Sequence, residues 1–324
     1  MSSPAITSSP FSKAVVGAMK KLYPEALADK SFDNTGLLLE APYRPNNTAL
    51  SNSALLTIDL TKAVADEAIK GKHSIIVSYH PIIFRPLKSL TLANTQQNSL
   101  LRLASEGISV YSPHTAVDAA PGGLNDWLAD VITGVDARTK TANPVVHTRK
   151  IINPVPGLQD LPSEFSSSGY GRIVTFDSAE NLGTLVQRIM KGIETNATSE
   201  SSHGASVSVA VPQGYGAGEQ SKIQIKTVGI CAGSGGSMLN GLDVDLLFTG
   251  ELSHHEALAA IEAGRCVVTA FHSNSERAFL EQRMMPALKE MVGKELGGDH
   301  DFSVDVSKHD RDPYQVITPK TGDW

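Results

Sequence analysis

Only two of the 324 residues are cysteine, and Cys231 and Cys266 are too far apart to form a zinc knuckle. A small secreted scaffold is thereby excluded, because such chains are held together by dense disulfides. Two buried thiols in a reducing compartment are expected instead. Basic runs are missing too: no stretch holds five or more Lys and Arg, and the net charge is -6. Binding to nucleic acid through phosphates needs a basic stripe, so no direct nucleic-acid binding is expected, while protein partners remain compatible with the charge. No apolar run approaches the ~20 residues that cross a bilayer, so no membrane role is expected. The Ser-rich N-terminus has no Arg before Arg44 and no apolar core of the kind a signal peptide needs, which speaks against secretory and transit peptides.

What is present describes a globular chain. Hydrophobic content of 41% and charged content of 19% suit a soluble protein with a sizeable core, in one large domain or two ordinary ones. Phe11, Val15, Ala18, Met19 and Leu22 recur at helical spacing, so a helix over 11–22 is expected to start the domain, with residues 1–10 frayed. Beyond Ala54, strand-like and helix-like patterns alternate. LLTIDL, a helix over 61–70, and SIIVSY make a βαβ unit, for which a parallel sheet is expected. A helix over 92–106, the strand ISVYS, then a turn and a helix carrying Leu124, Trp127, Leu128 and Val131 follow.

Pro and Ser accumulate over 151–168, which reads as a linker. The expected organisation is α/β in two lobes: a first over 11–150, a second over 169–300, and a C-terminal segment, 301–324, packing back. In the second lobe RIVTF is a strand and 179–194 a helix, and 195–221 is partly flexible around the apolar run SVSVAV. IKTVGIC, DLLFTG and CVVTAF are further strands, with helices over 253–263 and 275–295.

Four of these apolar runs end in residues able to bind metal: His80, then His114 and Asp118, then Glu251, then His272 and Glu276. Parallel strands deliver their carboxyl ends to one edge of a sheet, where ligands bind. HSNSE spaces His272 and Glu276 four apart; ordinary helix-start chemistry also explains it, with Ser or Asn capping and Glu at the positive end. HTAVD repeats the spacing at His114 and Asp118, and a local turn built on Asp118 is the competing explanation. Pro81 keeps His80 out of the helical region at its strand end. Taken together, the three favour a metal. Their donors suit Zn, Mn or Fe, and paired carboxylates bridge two ions about 3.5–4 Å apart.

AGSGGS follows a strand, and Ser234, Gly235 and Gly236 could present backbone N–H groups to an anion; a tight turn explains it equally. It lacks the Lys-Ser/Thr ending of a Walker loop. In SHHE, Ser253 reads as an N-cap, with at least one of His254 and His255 facing the core. Glu251 sits beside the expected site and Asp33 and Asn34 precede the run LLLE, where a local Asx turn is the alternative.

At SYHPIIFRPLKSL, VYSPHTAVDAAPGGLNDWLA, CAGSGGSML, TGELSHHEALAA and HSNSERAFLEQ the chain resembles the NGG-one-interacting factor three family, in its eukaryotic, fungal-type branch. The resemblance runs from about Phe11 to the DRDPYQVI segment, as one family unit over 11–318. Bacterial members carry the name GTP cyclohydrolase 1 type 2 homologue. The resemblance implies two interlocked α/β lobes with mainly parallel strands, a dinuclear metal centre in the cleft between them, and a hexameric homo-oligomer. It maps metal ligands onto His80, Asp118, His272 and Glu276, with Tyr79 and His114 beside them, and makes Asp33 and Asn34 a cleft wall. Bacterial members have two adjacent histidines where this chain has Tyr79 and His80, which implies that one of the two metals is weakly held or absent.

The expected activity is a metal-dependent hydrolase acting on a small or nucleotide-like substrate, using one or two divalent ions, with Glu251 or Asp33 relaying protons. A non-enzymatic transcriptional co-regulator with a structural metal, and metal storage or trafficking, are the alternatives, since kinship of fold does not fix a reaction. The cytoplasm is the favoured location, with the nucleus and a mitochondrial pool left open.

Overall fold

The computed structural model describes residues 7–43, 50–135, 145–195, 206–216, 218–298 and 300–317. The chain forms two compact units and passes between them more than once. One comprises 1–123, 156–166 and 280–310; the other comprises 124–155, 167–279 and 311–324.

In the first unit α1 (Pro10–Leu22) is capped by Ser9, whose hydroxyl accepts from Ser12 N. Pro10 costs no bond there, because the first helical N–H groups have no partner in the helix. Order begins before the helix: Thr7 bridges Tyr43, so fraying does not extend over 7–10, and residues 1–6 lie outside the described residues. There follow β1 (Gly36–Leu39), β2 (Ser53–Thr57), α2 (Lys62–Gly71), β3 (Ile75–Ser78), α3 (Thr95–Glu106), β4 (Ser109–Ser112) and the short α4 (Thr115–Ala119). Asn94 accepts from the N–H groups of Gln96 and Gln97 and so starts α3 three residues later than the sequence pattern suggests.

The second unit begins at α5 (Leu124–Thr133), well before the expected boundary at 150. β5 (His147–Pro154) occupies the start of the stretch read as a linker. It pairs antiparallel with β6 (Gly169–Asn181), and Pro154 is tolerated because β5 is an edge strand. Residues 156–166, most of the rest of that stretch, belong to the first unit. Next come α6 (Leu182–Gly192), β7 (Ser208–Ala210), β8 (Gln224–Ser234), α7 (Gly236–Leu239), β9 (Leu246–Glu251), α8 (His254–Glu262), β10 (Cys266–Thr269) and α9 (Asn274–Phe279). SVSVAV thus supplies a short strand, antiparallel to β10; residues 196–205 and 217 of the stretch expected to be flexible lie outside the described residues.

The helix expected over 275–295 is interrupted. A π-helical turn, Leu280–Met284, separates α9 from α10 (Met285–Leu296), and the chain changes unit between Phe279 and Leu280. Pro286 has no N–H to offer the carbonyl four residues back, at Gln282, so the ladder is broken within that turn. β11 (Ser303–Val306) then pairs parallel with β2 at the edge of the first sheet.

The first sheet has the order β1-β4-β3-β2-β11, parallel except for β1. The second has the order β5-β6-β8-β9-β10-β7, with a parallel centre and antiparallel flanks. Strands β2, β3 and β4 are buried at every position, which is why their sequences are continuous apolar runs without alternation. Leu55, Ile76 and Val110 pack on Val64, Ala65 and Ala68 of α2 and Leu103 of α3. Each Leu, Ile or Val side chain among them contributes ~1.5–3 kcal/mol by leaving water.

His73, at the end of α2, is buried, and its Nδ1 has no hydrogen-bond partner among the described residues. Burial pushes its pKa below 6.5, and the carboxylates of Asp305 and Glu67 offset this only partly. A depressed folded pKa means that the unfolded chain takes up the proton first. Stability is therefore full above the ordinary value of 6.5 and is lost as pH falls through it towards the folded pKa. Urea unfolding from pH 7.5 down to pH 5 should give a falling midpoint, and His73→Gln should flatten that slope.

Candidate metal centre

The topology gathers the polar residues. β2, β3 and β11 run parallel, so Asp59, His80 and Asp310 all follow strands at the same edge of the first sheet. β4 brings His114 there as well, and antiparallel β1 reaches the same edge with its beginning: Gly36 pairs with Ser112, which puts Asp33 beside the end of β4. In the second sheet β8, β9 and β10 are parallel and end near Gly233, at Glu251 and just before His272.

Three histidines are held in the same way. His80 Nδ1 lies 2.9 Å from Asp59 Oδ1, His114 Nδ1 lies 2.7 Å from Asp33 Oδ1, and His272 Nδ1 lies 2.8 Å from Glu251 Oε1. An ionised carboxylate only accepts, so each Nδ1 carries a proton, and in the neutral ring the lone pair is then on Nε2. Metal-binding histidines are oriented this way.

In the second unit His272 Nε2 lies 3.6 Å from Glu276 Oε1, and Glu276 is only 2% exposed. These two atoms are both acceptors in that tautomer and face the same space, so a cation or an extra proton between them removes the repulsion. The pair forms part of a His/Glu group able to hold a metal ion. Gly233 makes room for it. Its φ is +60°, and a Cβ there would stand 2.8 Å from Glu276 Oε1 and 3.0 Å from His272 Nε2.

In the first unit the rings of Tyr79, His80 and His114 lie mutually 5.1–5.5 Å apart by centroid. Tyr79 is buried and donates its phenol proton to Asp118 Oδ1 at 2.6 Å. The phenol orients a carboxylate here. Asp33 accepts on one oxygen from His114 and from Asn34 N at 2.7 Å, and on the other from the Thr115 N–H and hydroxyl. Burial alone would raise the Asp33 pKa, but His114 and the Thr115 donors outweigh it and hold the carboxyl below its ordinary value. Phe32 and Phe84, both exposed, stand 6.3 Å apart, and Phe84 meets His114 edge-on at 6.5 Å.

Two of these positions are strained. His114 has φ +33° and Phe271, just before His272, has φ +64°, a region costly to residues with a Cβ. Each costs ~1–3 kcal/mol that the surrounding structure offsets, a pattern concentrated at functional sites.

Other expectations fare differently. Ser253 caps α8 in a full capping box with Glu256. His254 and His255 are both exposed, edge to face at 5.3 Å, so neither enters the core. Ser234, Gly235 and Gly236 do not form an open cradle. A Cβ at Gly235 would stand 2.4 Å from Thr249 Oγ1, and one at Gly236 would stand 2.1 Å from Glu256 Oε1. Close packing accounts for these glycines, and a carboxylate against the loop opposes an anion. Cys231 and Cys266 are free and buried, as expected. Asp59 was missed, although it ends its apolar run, LLTID, as His80 ends the next one.

The family model described as Duf34/NIF3 (NGG1p interacting factor 3) matches residues 12–313. The chain belongs to this family. A Schizosaccharomyces pombe protein named Protein NIF3 homolog is 44% identical over 302 residues, covering 92% of this chain and 95% of that one. NGG1-interacting factor 3 of Saccharomyces cerevisiae is 38% identical over 318 residues, covering 96% and 99%. A Bacillus cereus protein related to NIF3 shares the fold, with a TM-score of 0.69, 17% identity and coverage of 94% and 98%. A Staphylococcus aureus hypothetical protein does so with a TM-score of 0.68, 21% identity and coverage of 96% and 100%.

Gly233→Ala tests the crowding at His272 and Glu276. A methyl group in the left-handed region against that pair should cost ~1–3 kcal/mol of stability in chemical denaturation. It should also weaken Zn2+ binding in calorimetric titration; unchanged binding in a folded variant would show that the cradle is not needed.

Proposed function

We propose that the protein is a metal-dependent hydrolase acting on a small or nucleotide-like substrate. His80, Asp118, His272 and Glu276 hold one or two divalent ions (Zn, Mn or Fe), and His114 stands beside them. The observation that carries the reading is the triplicate carboxylate–histidine pair, with Nδ1 of His80, His114 and His272 each oriented by a carboxylate. Mixed imidazole and carboxylate donors fit these metals. A bound ion of this kind brings the pKa of water close to neutrality and so supplies hydroxide.

The protein's own groups do the rest. Asp59, Asp33 and Glu251 hold the protons on the three Nδ1 atoms and fix the rings. Glu251 is half exposed and within reach of solvent, which suits it to exchange a proton during turnover. Asp33 is enclosed and held ionised, which suits orientation better than transfer. Exposed Phe32 and Phe84 beside His114 offer apolar edges to a planar group such as a base.

A second reading, a transcriptional co-regulator with a structural metal, is favoured by the name of the Saccharomyces cerevisiae relative, which describes an interaction with NGG1. The acidic balance of -6 suits protein contacts. A homo-oligomer, hexameric by family resemblance, is part of both readings, as is a cytoplasmic or nuclear location. Among the described residues no helix is long and apolar enough to cross a membrane.

Metal analysis of purified protein, followed by a hydrolysis screen of wild type beside His272→Ala, separates the readings. The hydrolase requires near-stoichiometric metal in the wild type and metal-dependent turnover that falls at least about tenfold in the variant. Full metal occupancy with no turnover on any nucleotide or small ester would favour the co-regulator or a storage role.

A further inference from the structure

The C-terminal segment Asp310-Arg311-Asp312 plays no part in the functional reading, yet its two carboxylates bond next to two of the histidines. Asp310 is only 3% exposed, and its Oδ2 accepts from Ile58 N at 2.7 Å. β2 stops at Thr57, so the Ile58 N–H lies beyond the ladder with β3 and β11, and the carboxylate stands in for a strand. The other side of the same residue is held too. Ile58 O accepts from His80 N at 3.0 Å and from the Ser78 hydroxyl. The backbone is thereby fixed one residue before Asp59, whose half-exposed carboxylate engages His80. Asp310 is in turn set by its own turn, where Ser307 Oγ accepts from the N–H groups of His309 and Asp310.

In the second unit Asp312 Oδ2 accepts from the Ser273 hydroxyl at 2.7 Å. Ser273 is buried and directly follows His272, and its Oγ also accepts from Arg277 Nη2 at 2.7 Å. The His272 carbonyl accepts from the Ser275 hydroxyl at 2.7 Å, so the backbone on the far side of the strained Phe271 is tied down at successive residues. Arg311, between the two aspartates, is exposed.

We propose that Asp310 and Asp312 are positioning residues of the metal centre. Asp310 acts through the Ile58–Asp59 backbone on His80, and Asp312 acts through Ser273 on His272. The inference rests on the metal centre proposed above. A buried carboxylate is costly unless it is bonded, and Asp310 and Asp312 place these bonds on the residues that directly adjoin Asp59 and His272.

The test is calorimetric titration of the full chain with Zn2+, and separately with Mn2+. Asp310→Ala and Asp312→Ala should each weaken binding by ~10–100-fold, as loss of groups that orient metal ligands does, while Arg311→Ala leaves it unchanged. Double variants give the readout that a purely structural role would not move. Asp310→Ala should add nothing in an Asp59→Ala background, and Asp312→Ala nothing in a Ser273→Ala background. Asp310→Asn keeps an acceptor oxygen for Ile58 N and should restore most of the affinity. Folded single variants with wild-type affinity, or losses that add in the double variants, overturn the proposal. If Asp310→Ala does not fold, the Asp312 and Ser273 pair decides it by the same criterion. Wild-type protein that takes up neither ion overturns the metal centre itself, and the positioning role with it.

Discussion

An imidazole whose Nδ1 is bonded to a carboxylate has one nitrogen left to give, and the direction of that nitrogen is set by the carboxylate. Three histidines in this protein obey that constraint, and much of the architecture serves it. The carboxylates sit two residues past β2, three residues before β1 and at the end of β9. Only strands that end together at one edge bring such residues within 3 Å of histidines that follow other strands. The constraint also explains why a buried tyrosine is useful beside them: the Tyr79 phenol does for Asp118 what the carboxylates do for the imidazoles.

Strain belongs to the same arrangement. His114 and Phe271 have positive φ although neither is glycine, and both lie in the few residues between a strand end and a helix start. A relaxed turn at these points would aim the following side chains elsewhere. The energy is supplied by neighbouring bonds: Asp33 to His114 and Thr115 in one unit, and Ser275 and Asp312 around His272 and Ser273 in the other. Helix α9 begins immediately after the second strained turn, which helps to explain why its start looked like ordinary capping chemistry.

The parallel core was legible in the sequence because buried strands have no polar alternation to disguise them, and runs such as SIIVSY and ISVYS have few other uses. The histidines of the candidate site were legible because they end such runs. The antiparallel strands were harder. β5 is half exposed, contains Pro154 and follows residues that carry no pattern, so it resembled a linker. The π-helical turn before α10 left only one trace, Pro286, inside an otherwise helical period. Asp59, Asp310 and Asp312 were illegible for a different reason. Each works through a backbone group or a histidine distant in sequence, and single aspartates in loops are too common to stand out.

The first unit also imposes an order on synthesis. Its sheet is complete only when β11 pairs with β2, and some 180 residues, most of them in the second unit, emerge between Gly123 and that strand. At ribosomal speeds the interval is roughly 10–40 s. Throughout it the nascent sheet presents β2 as an open edge, and the Ile58 N–H waits for Asp310. A growing chain therefore cannot complete its first sheet until most of its second unit has been made.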